Sequence, residues 1–306
     1  MKNRKICIIG YGPHVENTII PSLNIGIKKN LKIITKKKIN NFETFTNVKI
    51  ALKKLTKDYV FYNATPPKSH YTITKLILSS GFSVMTEKPL CLNVNQLERL
   101  NNIAKKKKLF MVENMMYFHS QQFKLFNKLL NKKDINKVNI KFSIPDLNKK
   151  SFRMENDIDS SILYDMGCYP FSLISFFNFD INSYKISYKI KNKKICFIKI
   201  LFTSKQIKFN ITIEIFKKYE NYIKINFKDN IFYILNHFFY GKKIKKFNYI
   251  YKLNKKIKTV IINEENLFKV IFGYSNQKLF MLSRAQFSTI KKYLICLNQI
   301  KKHIKL

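Results

Sequence analysis

The sequence predicts an α/β protein: a doubly wound parallel sheet over residues 1–117, then an α+β domain with a large, mostly antiparallel sheet over 118–306. Three observations carry this expectation. Short apolar runs alternate with helical patterns up to about Tyr117. Beyond that point the runs lengthen and become rich in β-branched and aromatic residues. A Gly10-Tyr11-Gly12 turn separates the first apolar run from the first helical pattern.

In order, KICIIG (5–10) reads as a first strand, followed by a helical pattern to about Ile25. LKIIT (31–35) reads as a second strand, and a helix fits Val48 to Lys57. YVFYN (59–63) is a third strand, stopped by Thr65-Pro66-Pro67. Tyr71 to Ser80 is helical, Gly81 ends it, and FSVMTE (82–87) follows as a fourth strand. Asn93 to Lys107 is helical, with Leu97, Leu100 and Ala104 on one stripe, and LFMVE (109–113) is a fifth strand. Such alternation with short connections predicts parallel strands joined by right-handed crossovers. A helix over 118–130, a strand over 138–144 and one helix over 162–177 come next. The stretch from Tyr184 to Leu253 is strand-rich, and an amphipathic helix closes the chain at about 279–304.

Composition excludes several classes of function. Lys and Arg number 58 against 18 Asp and Glu, a formal net charge of +40. Only four of these basic residues are arginine: Arg4, Arg99, Arg153 and Arg284. The favoured residues (Lys, Asn, Ile, Phe, Tyr) share A/T-rich codons, so the lysine excess reads as coding bias. The lysines are also scattered, where a nucleic-acid binder would gather them on one face. Such a surface holds polyanions loosely and in a salt-dependent way, and no specific nucleic-acid partner is expected. No uncharged apolar run reaches the roughly 18 residues of a membrane span. The start MKNRKICIIG enters a strand rather than a signal peptide, so a cytoplasmic protein without a membrane partner is expected. The five cysteines form no C-x-x-C pair and the five histidines are dispersed. That pattern fits a reducing compartment and gives no metal site.

Gly10 and Gly12, with Pro13 and His14 opening the next helix, stand where a dinucleotide-binding turn would lie. Two glycines let backbone approach a pyrophosphate, whose charge a helix N-terminus favours. The third glycine of that fingerprint is replaced by Val15, and a plain strand–turn–helix pair is the alternative. After the second strand, Thr35 and Lys36 stand where an acid would bind ribose hydroxyls, which suits the extra phosphate of NADP. In so lysine-rich a chain, NAD stays open. Ala64-Thr65-Pro66-Pro67, with His70 three residues on, places a turn and helix start at the end of the third strand. Glu87-Lys88-Pro89 does the same after the fourth. A lysine beside a nicotinamide can donate a proton or polarise a carbonyl. Its alternative is a solvated side chain.

N-A-T-P-P-x-x-H followed by G-F-S-V-M-T-E-K-P-L resembles the glucose–fructose oxidoreductase / inositol dehydrogenase / MocA family. The resemblance continues through M-V-E-N-M-M-Y-F-H-S-Q (111–121), Phe152-Arg153, L-Y-D-M-G-C-Y-P (163–170) and, faintly, F-G-Y-S-N-Q (272–277). It implies a Rossmann domain for NADP or NAD and hydride transfer at a carbon of a sugar, nucleotide-sugar or other polyhydroxylated small molecule. The family places the E-K-P lysine, here Lys88, near nicotinamide and substrate. Its D-x-G-x-H/Y motif makes Asp165 the contact to the reacting hydroxyl and Tyr169 the acid/base. Asp165 and Tyr169, four apart on one helix, should share a face and meet Lys88 across a cleft. The resemblance adds Asn114 and Glu87 to the cofactor residues and Tyr117 and Arg153 to the substrate residues. It also implies a homodimer or homotetramer. Many relatives carry three glycines where this chain has Asp159-Ser160-Ser161. That departure keeps a catalytically silent scaffold of the same fold open, beside a tailoring ketoreductase of a secondary metabolite.

Overall fold

A computed structural model describes residues 4–132, 134–145, 157–240, 247–253 and 256–304. Packing divides the chain into two compact units, Met1–Met115 with Phe268–Lys291 and Met116–Leu267 with Lys292–Leu306. The final helix, Asn276–Lys301, contributes to both.

The first unit is built on strands β1 (Lys5–Ile9), β2 (Lys32–Ile34), β3 (Glu43–Phe45), β4 (Tyr59–Asn63), β5 (Val84–Glu87) and β6 (Met111–Asn114). Their order is β3-β2-β1-β4-β5-β6, and every pairing is parallel. This is the expected doubly wound sheet, with one more strand than the sequence patterns reveal. The addition is β3, three residues long with Glu43 and Thr44 exposed, so no apolar run marks it. β4 is buried along its whole length, as a central strand covered on both faces must be.

Helices Val48–Lys54, Pro67–Ser79 and Val94–Lys106 link the strands. Asn47 and Asn93 cap the first and last of these, accepting the amides of Ile50 (3.0 Å) and Gln96 (2.9 Å). Each satisfies an amide that the helix itself leaves without a partner. After β1 the chain departs from the expected single helix to Ile25. It makes a wide turn over Val15–Ile19, closed by the Ile20 amide on the Val15 carbonyl, and then short helices Ile20–Ser22 and Ile25–Lys29.

β6 is the sheet's last strand, and its free edge is satisfied by side chains from the C-terminal helix. Ser283 Oγ accepts the Met111 amide at 3.0 Å. The Gln286 amide group accepts from the Glu113 N–H at 3.1 Å and donates to the Glu113 carbonyl at 3.0 Å. Residues 268–291 therefore pack with the first sheet although they follow the second in sequence. Arg4 fixes the start of this segment, donating to Asn276 Oδ1 at 3.0 Å and to the carbonyls of Phe272 and Tyr274. One planar guanidinium serves three acceptors there, which a lysine could not do with the same geometry.

The second unit holds an eight-stranded sheet ordered β14-β13-β12-β11-β7-β10-β9-β8. Its strands are β7 (Ile135–Ile144), β8 (Tyr184–Lys191), β9 (Lys194–Ser204), β10 (Ile207–Ile215), β11 (Glu220–Phe227), β12 (Phe232–Asn236), β13 (Phe247–Leu253) and β14 (Lys256–Ile262). All its pairings are antiparallel except β7 with β10. On β11 buried and half-buried residues alternate strictly, as expected of a sheet with one covered face. The single helix expected over 162–177 is two, Ile162–Asp165 and Cys168–Phe176, with Met166 and Gly167 between them. The Gly167 amide reaches back to the Ile162 carbonyl at 3.0 Å, one residue beyond helical spacing. A Cβ at Gly167 would lie 2.1 Å from the Leu163 carbonyl oxygen, so this tight passage requires glycine.

Candidate active site

Parallel pairing brings the strand ends of the first unit to one edge. Ile9 stands beside Ile34 and Asn63, Asn63 beside Thr86, and Glu87 beside Asn114. Gly10, Thr35, Ala64, Glu87 and Asn114 therefore lie along a single line, with Lys88 one residue beyond it. The strand order reverses between β1 and β4, the place where open α/β sheets bind ligands. Gly10 lies there with φ +94°, and a Cβ would come within 3.1 Å of the Ala64 carbonyl oxygen. Nothing lies within 4 Å of the Cβ position of Gly12, so its backbone is open to approach. Pro13 and His14 beyond it are exposed, as is Lys36, whereas Val15 is buried in the wide turn. Thr35 Oγ1 accepts the Lys37 amide at 3.0 Å, shaping the turn after β2.

Glu87 gathers three donors on one oxygen. His14 Nε2 lies 3.2 Å from Oε1, the Tyr62 hydroxyl donates to it, and Asn114 Nδ2 does so at 3.1 Å. Burial alone would raise this carboxyl. The His14 and Tyr62 hydrogen bonds, with the nearby Lys88 charge, outweigh burial and hold it down to about 2. The group is thus a carboxylate throughout the neutral range. Asn114 also donates to the Tyr62 hydroxyl at 2.5 Å, while its Oδ1 is buried without a partner among the described residues. His14 packs edge-on against Phe268 with ring centroids 5.5 Å apart. Tyr62 and Phe268 carry no signal in sequence, since each looks like one more aromatic in an apolar run.

Other expected cofactor residues act on the loops. Thr65 turns inward, its Oγ1 donating to Asn63 Oδ1 at 2.7 Å. His70 is buried and does not reach the open edge. Its Nδ1 lies 2.7 Å from the Pro89 carbonyl oxygen and its Nε2 lies 2.6 Å from that of Thr65. It therefore joins the turn after β4 to the turn after β5. Pro66 is exposed, Ala64 and Lys88 are half-buried, and the Lys88–Pro89 peptide is cis.

In the second unit, Ser160 and Ser161 are buried. Ser161 Oγ accepts the Leu163 amide at 3.3 Å and donates to the Ile158 carbonyl at 2.6 Å. Ser161 thus starts the Ile162–Asp165 helix, and Asp159 pairs with Lys301 at 2.8 Å. Asp165 is buried. Tyr169 is half-buried, its ring 5.5 Å from Phe142, 5.5 Å from Phe239 and 6.2 Å from Tyr117. Because Met166 and Gly167 interrupt the helix, Asp165 and Tyr169 are not neighbours on one continuous turn.

Tyr117, expected to touch substrate, is buried in this aromatic group. Its hydroxyl lies 2.9 Å from Ser172 Oγ, which itself donates to the Tyr169 carbonyl at 2.9 Å. Tyr117 therefore supports the Tyr169 segment. Arg153 lies outside the described residues. Among the described residues no group of three or more His, Cys, Asp or Glu side chains could hold a metal ion. No helix there is long and apolar enough to cross a membrane.

The edge of the first sheet suits a dinucleotide on three counts: the positive φ of Gly10, the open backbone at Gly12, and the unpartnered Asn114 Oδ1. Comparison with known proteins points the same way. Residues 5–114 match the sequence family described as "Oxidoreductase family, NAD-binding Rossmann fold". A dTDP-3,4-didehydro-2,6-dideoxy-alpha-D-glucose 3-reductase of Streptomyces violaceoruber is 28% identical over 117 residues, covering 37% of this chain and 34% of that protein. The matched stretch thus spans about a third of the length of the curated relatives.

In structure, a 3-ketoreductase from Actinomadura kijaniata solved with NADP and TDP-benzene superposes with a TM-score of 0.81 at 16% identity, covering 97% of both chains. The UDP-N-acetylglucosamine 3-dehydrogenase of Acidithiobacillus ferrooxidans gives 0.73 at 10% identity over 98% of this chain and 97% of that one. At such identities the superpositions establish the fold. Over residues 5–114 the chain is thus similar to the Gfo/Idh/MocA oxidoreductase family, with its NAD-binding Rossmann fold.

Proposed function

We propose that the chain is an NAD(P)-dependent oxidoreductase acting on a hydroxyl or carbonyl carbon of a sugar, nucleotide-sugar or related polyhydroxylated small molecule. The observation that carries this reading is the alignment of Gly10, Ala64 to Pro66, Glu87 and Lys88 along one edge of the parallel sheet. Relatives named for reduction or oxidation at sugar carbon 3 support the substrate class. The similar 3-ketoreductase favours the tailoring-ketoreductase form of the reading over a silent scaffold. NADP is the preferred cofactor, with NAD second. The exposed Lys36 beside Thr35 offers a positive charge to a ribose phosphate, and the ketoreductase was solved with NADP.

When bound, the dinucleotide supplies or receives the hydride. The chain's own groups manage position and protons. Gly10 and Gly12 present backbone to the pyrophosphate, with Pro13 and His14 leading into the next helix. Thr35 and Lys36 meet the adenosine ribose, and Ala64, Thr65 and Pro66 form the wall beside it. Lys88 polarises the reacting oxygen, with Glu87 and Asn114 fixing that end of the sheet. Asp165 positions the substrate hydroxyl, and Tyr169 gives a proton to the oxygen in reduction or takes it in oxidation. Residues 1–117 serve the cofactor, and 118–306 the substrate and a homodimer or homotetramer. A cytoplasmic location belongs to the same proposal.

The test is turnover. Purified protein with NADPH is offered keto forms of nucleotide-linked sugars alongside simple ketones, following loss of the reduced cofactor. Turnover on the sugar set and none on simple ketones is expected. Saturable cofactor binding without turnover on any member would replace this reading by the silent scaffold.

A further inference from the structure

His70 raises a question of proton count. It projects from helix Pro67–Ser79 into a buried position, and both ring nitrogens face carbonyl oxygens, Pro89 at 2.7 Å and Thr65 at 2.6 Å. A carbonyl oxygen only accepts, so each contact needs a proton on nitrogen. Neutral imidazole carries one such proton and imidazolium carries two. In the neutral ring one nitrogen lone pair must face a carbonyl lone pair, a buried mismatch that costs the unmade hydrogen bond.

The two carbonyls belong to the two turns that flank the cofactor edge. Thr65 lies in the turn after β4, held from below by Asn63, which accepts its hydroxyl at 2.7 Å and donates to the His70 carbonyl at 3.4 Å. Pro89 follows Lys88 directly, and the next amide, Leu90, donates to the buried Glu113 carboxylate at 2.8 Å.

We propose that His70 is a positioning residue whose doubly protonated ring clamps the Thr65 turn to the Pro89 turn, so that dinucleotide affinity rises when it takes up its second proton. The proposal rests on the cofactor reading above. The charged groups that bear on His70 are Glu87, which favours the imidazolium, and Lys88, which opposes it. Burial lowers its pKa most, opposed by the bonds to Pro89 and Thr65, so the clamp closes below the ordinary histidine value of 6.5. His14, on Glu87, is a second imidazole at the same edge and must be kept out of the comparison.

The experiment is calorimetric titration of NADP into the full chain from pH 8 to pH 5, in a His14→Gln background, with and without His70→Gln. Glutamine can donate to one carbonyl but never to both, and it does not titrate. Titration of the ligand's own phosphate is common to both proteins and cancels. The expected result is an affinity gain on acidification about 5- to 10-fold larger with His70 than with glutamine. In parallel, nitrogen NMR of the parent follows the two His70 ring nitrogens, so the test survives if the variant fails to fold. Reciprocity requires added NADP to raise the pH at which the second nitrogen is protonated. Parallel pH profiles in the two proteins, or an NMR transition that NADP does not move, overturn the clamp alone. Absence of saturable NADP and NAD binding at every pH overturns the cofactor reading and the clamp with it.

Discussion

At the edge of the first sheet Glu87 is held by three hydrogen-bond donors, whereas in the second unit the Tyr169 ring rests near three aromatic rings. The first arrangement is directional and titratable. Each donor has one acceptor to find, and the charge at its centre depends on pH. The second holds a ring among other rings by shape and dispersion. The two halves should therefore fail differently when perturbed: the edge through charge and backbone access, the Tyr169 segment through steric fit.

The largest effect is expected at Gly167. Alanine there would set a Cβ 2.1 Å from a backbone oxygen that cannot move without unwinding the Ile162–Asp165 turn. Gly167→Ala should cost at least about 4 kcal/mol, or leave no soluble folded protein, as read by thermal melting. A melting temperature near that of the parent would show that the helix break is not rigid. Next comes Tyr169→Phe, which keeps the ring among Phe142, Phe239 and Tyr117 and removes only the hydroxyl. Turnover should fall about 10²- to 10⁴-fold with dinucleotide affinity nearly unchanged. A rate within a few-fold of the parent would pass the acid role to Lys88.

Glu87→Gln probes the polar half through pH. The folded Glu87 carboxyl sits at about 2 against an ordinary 4.5, so its ionised form stabilises the fold above pH 4.5. That contribution is lost as pH falls from 4.5 toward 2. The stability gap between parent and variant should reach up to about 3 kcal/mol at neutral pH and close across that acid window, by chemical denaturation at each pH. A gap that does not change with pH would mean that the carboxylate charge contributes nothing. The smallest stability effect belongs to Gly12, whose Cβ position is empty to 4 Å. Gly12→Ala should change stability by no more than about 0.5 kcal/mol. Its loss should show instead in dinucleotide affinity, because the added methyl occupies the approach to the backbone.

The same contrast decides what could be read in the sequence. Strand ends in a parallel sheet fall on one edge by construction, so Gly10, Ala64 and Lys88 could be placed together from alternation alone. β3 escaped because Glu43-Thr44-Phe45 buries one side chain and pairs on an outer edge. The break at Met166–Gly167 escaped because its cause, a carbonyl one turn back, is visible only once the helix is built. The motifs of His70 and Tyr117 sit beside the right strands, but the partners of their side chains are set by the folded turns. Burial turns both inward, and sequence alone does not report burial at a turn. The packing of residues 268–291 with the first sheet follows from the need to satisfy the β6 edge, a demand that no local pattern announces.

The central claim is that the edge carrying Gly10, Gly12, Ala64 and Lys88 binds a pyridine dinucleotide. Fluorescence titration of NADPH and of NADH into the purified chain, in salt high enough to suppress loose polyanion binding, tests it most directly. Saturable binding of both is expected, tighter for NADPH, and weakened for each by Gly12→Ala. Absence of saturable binding for either nucleotide would contradict it.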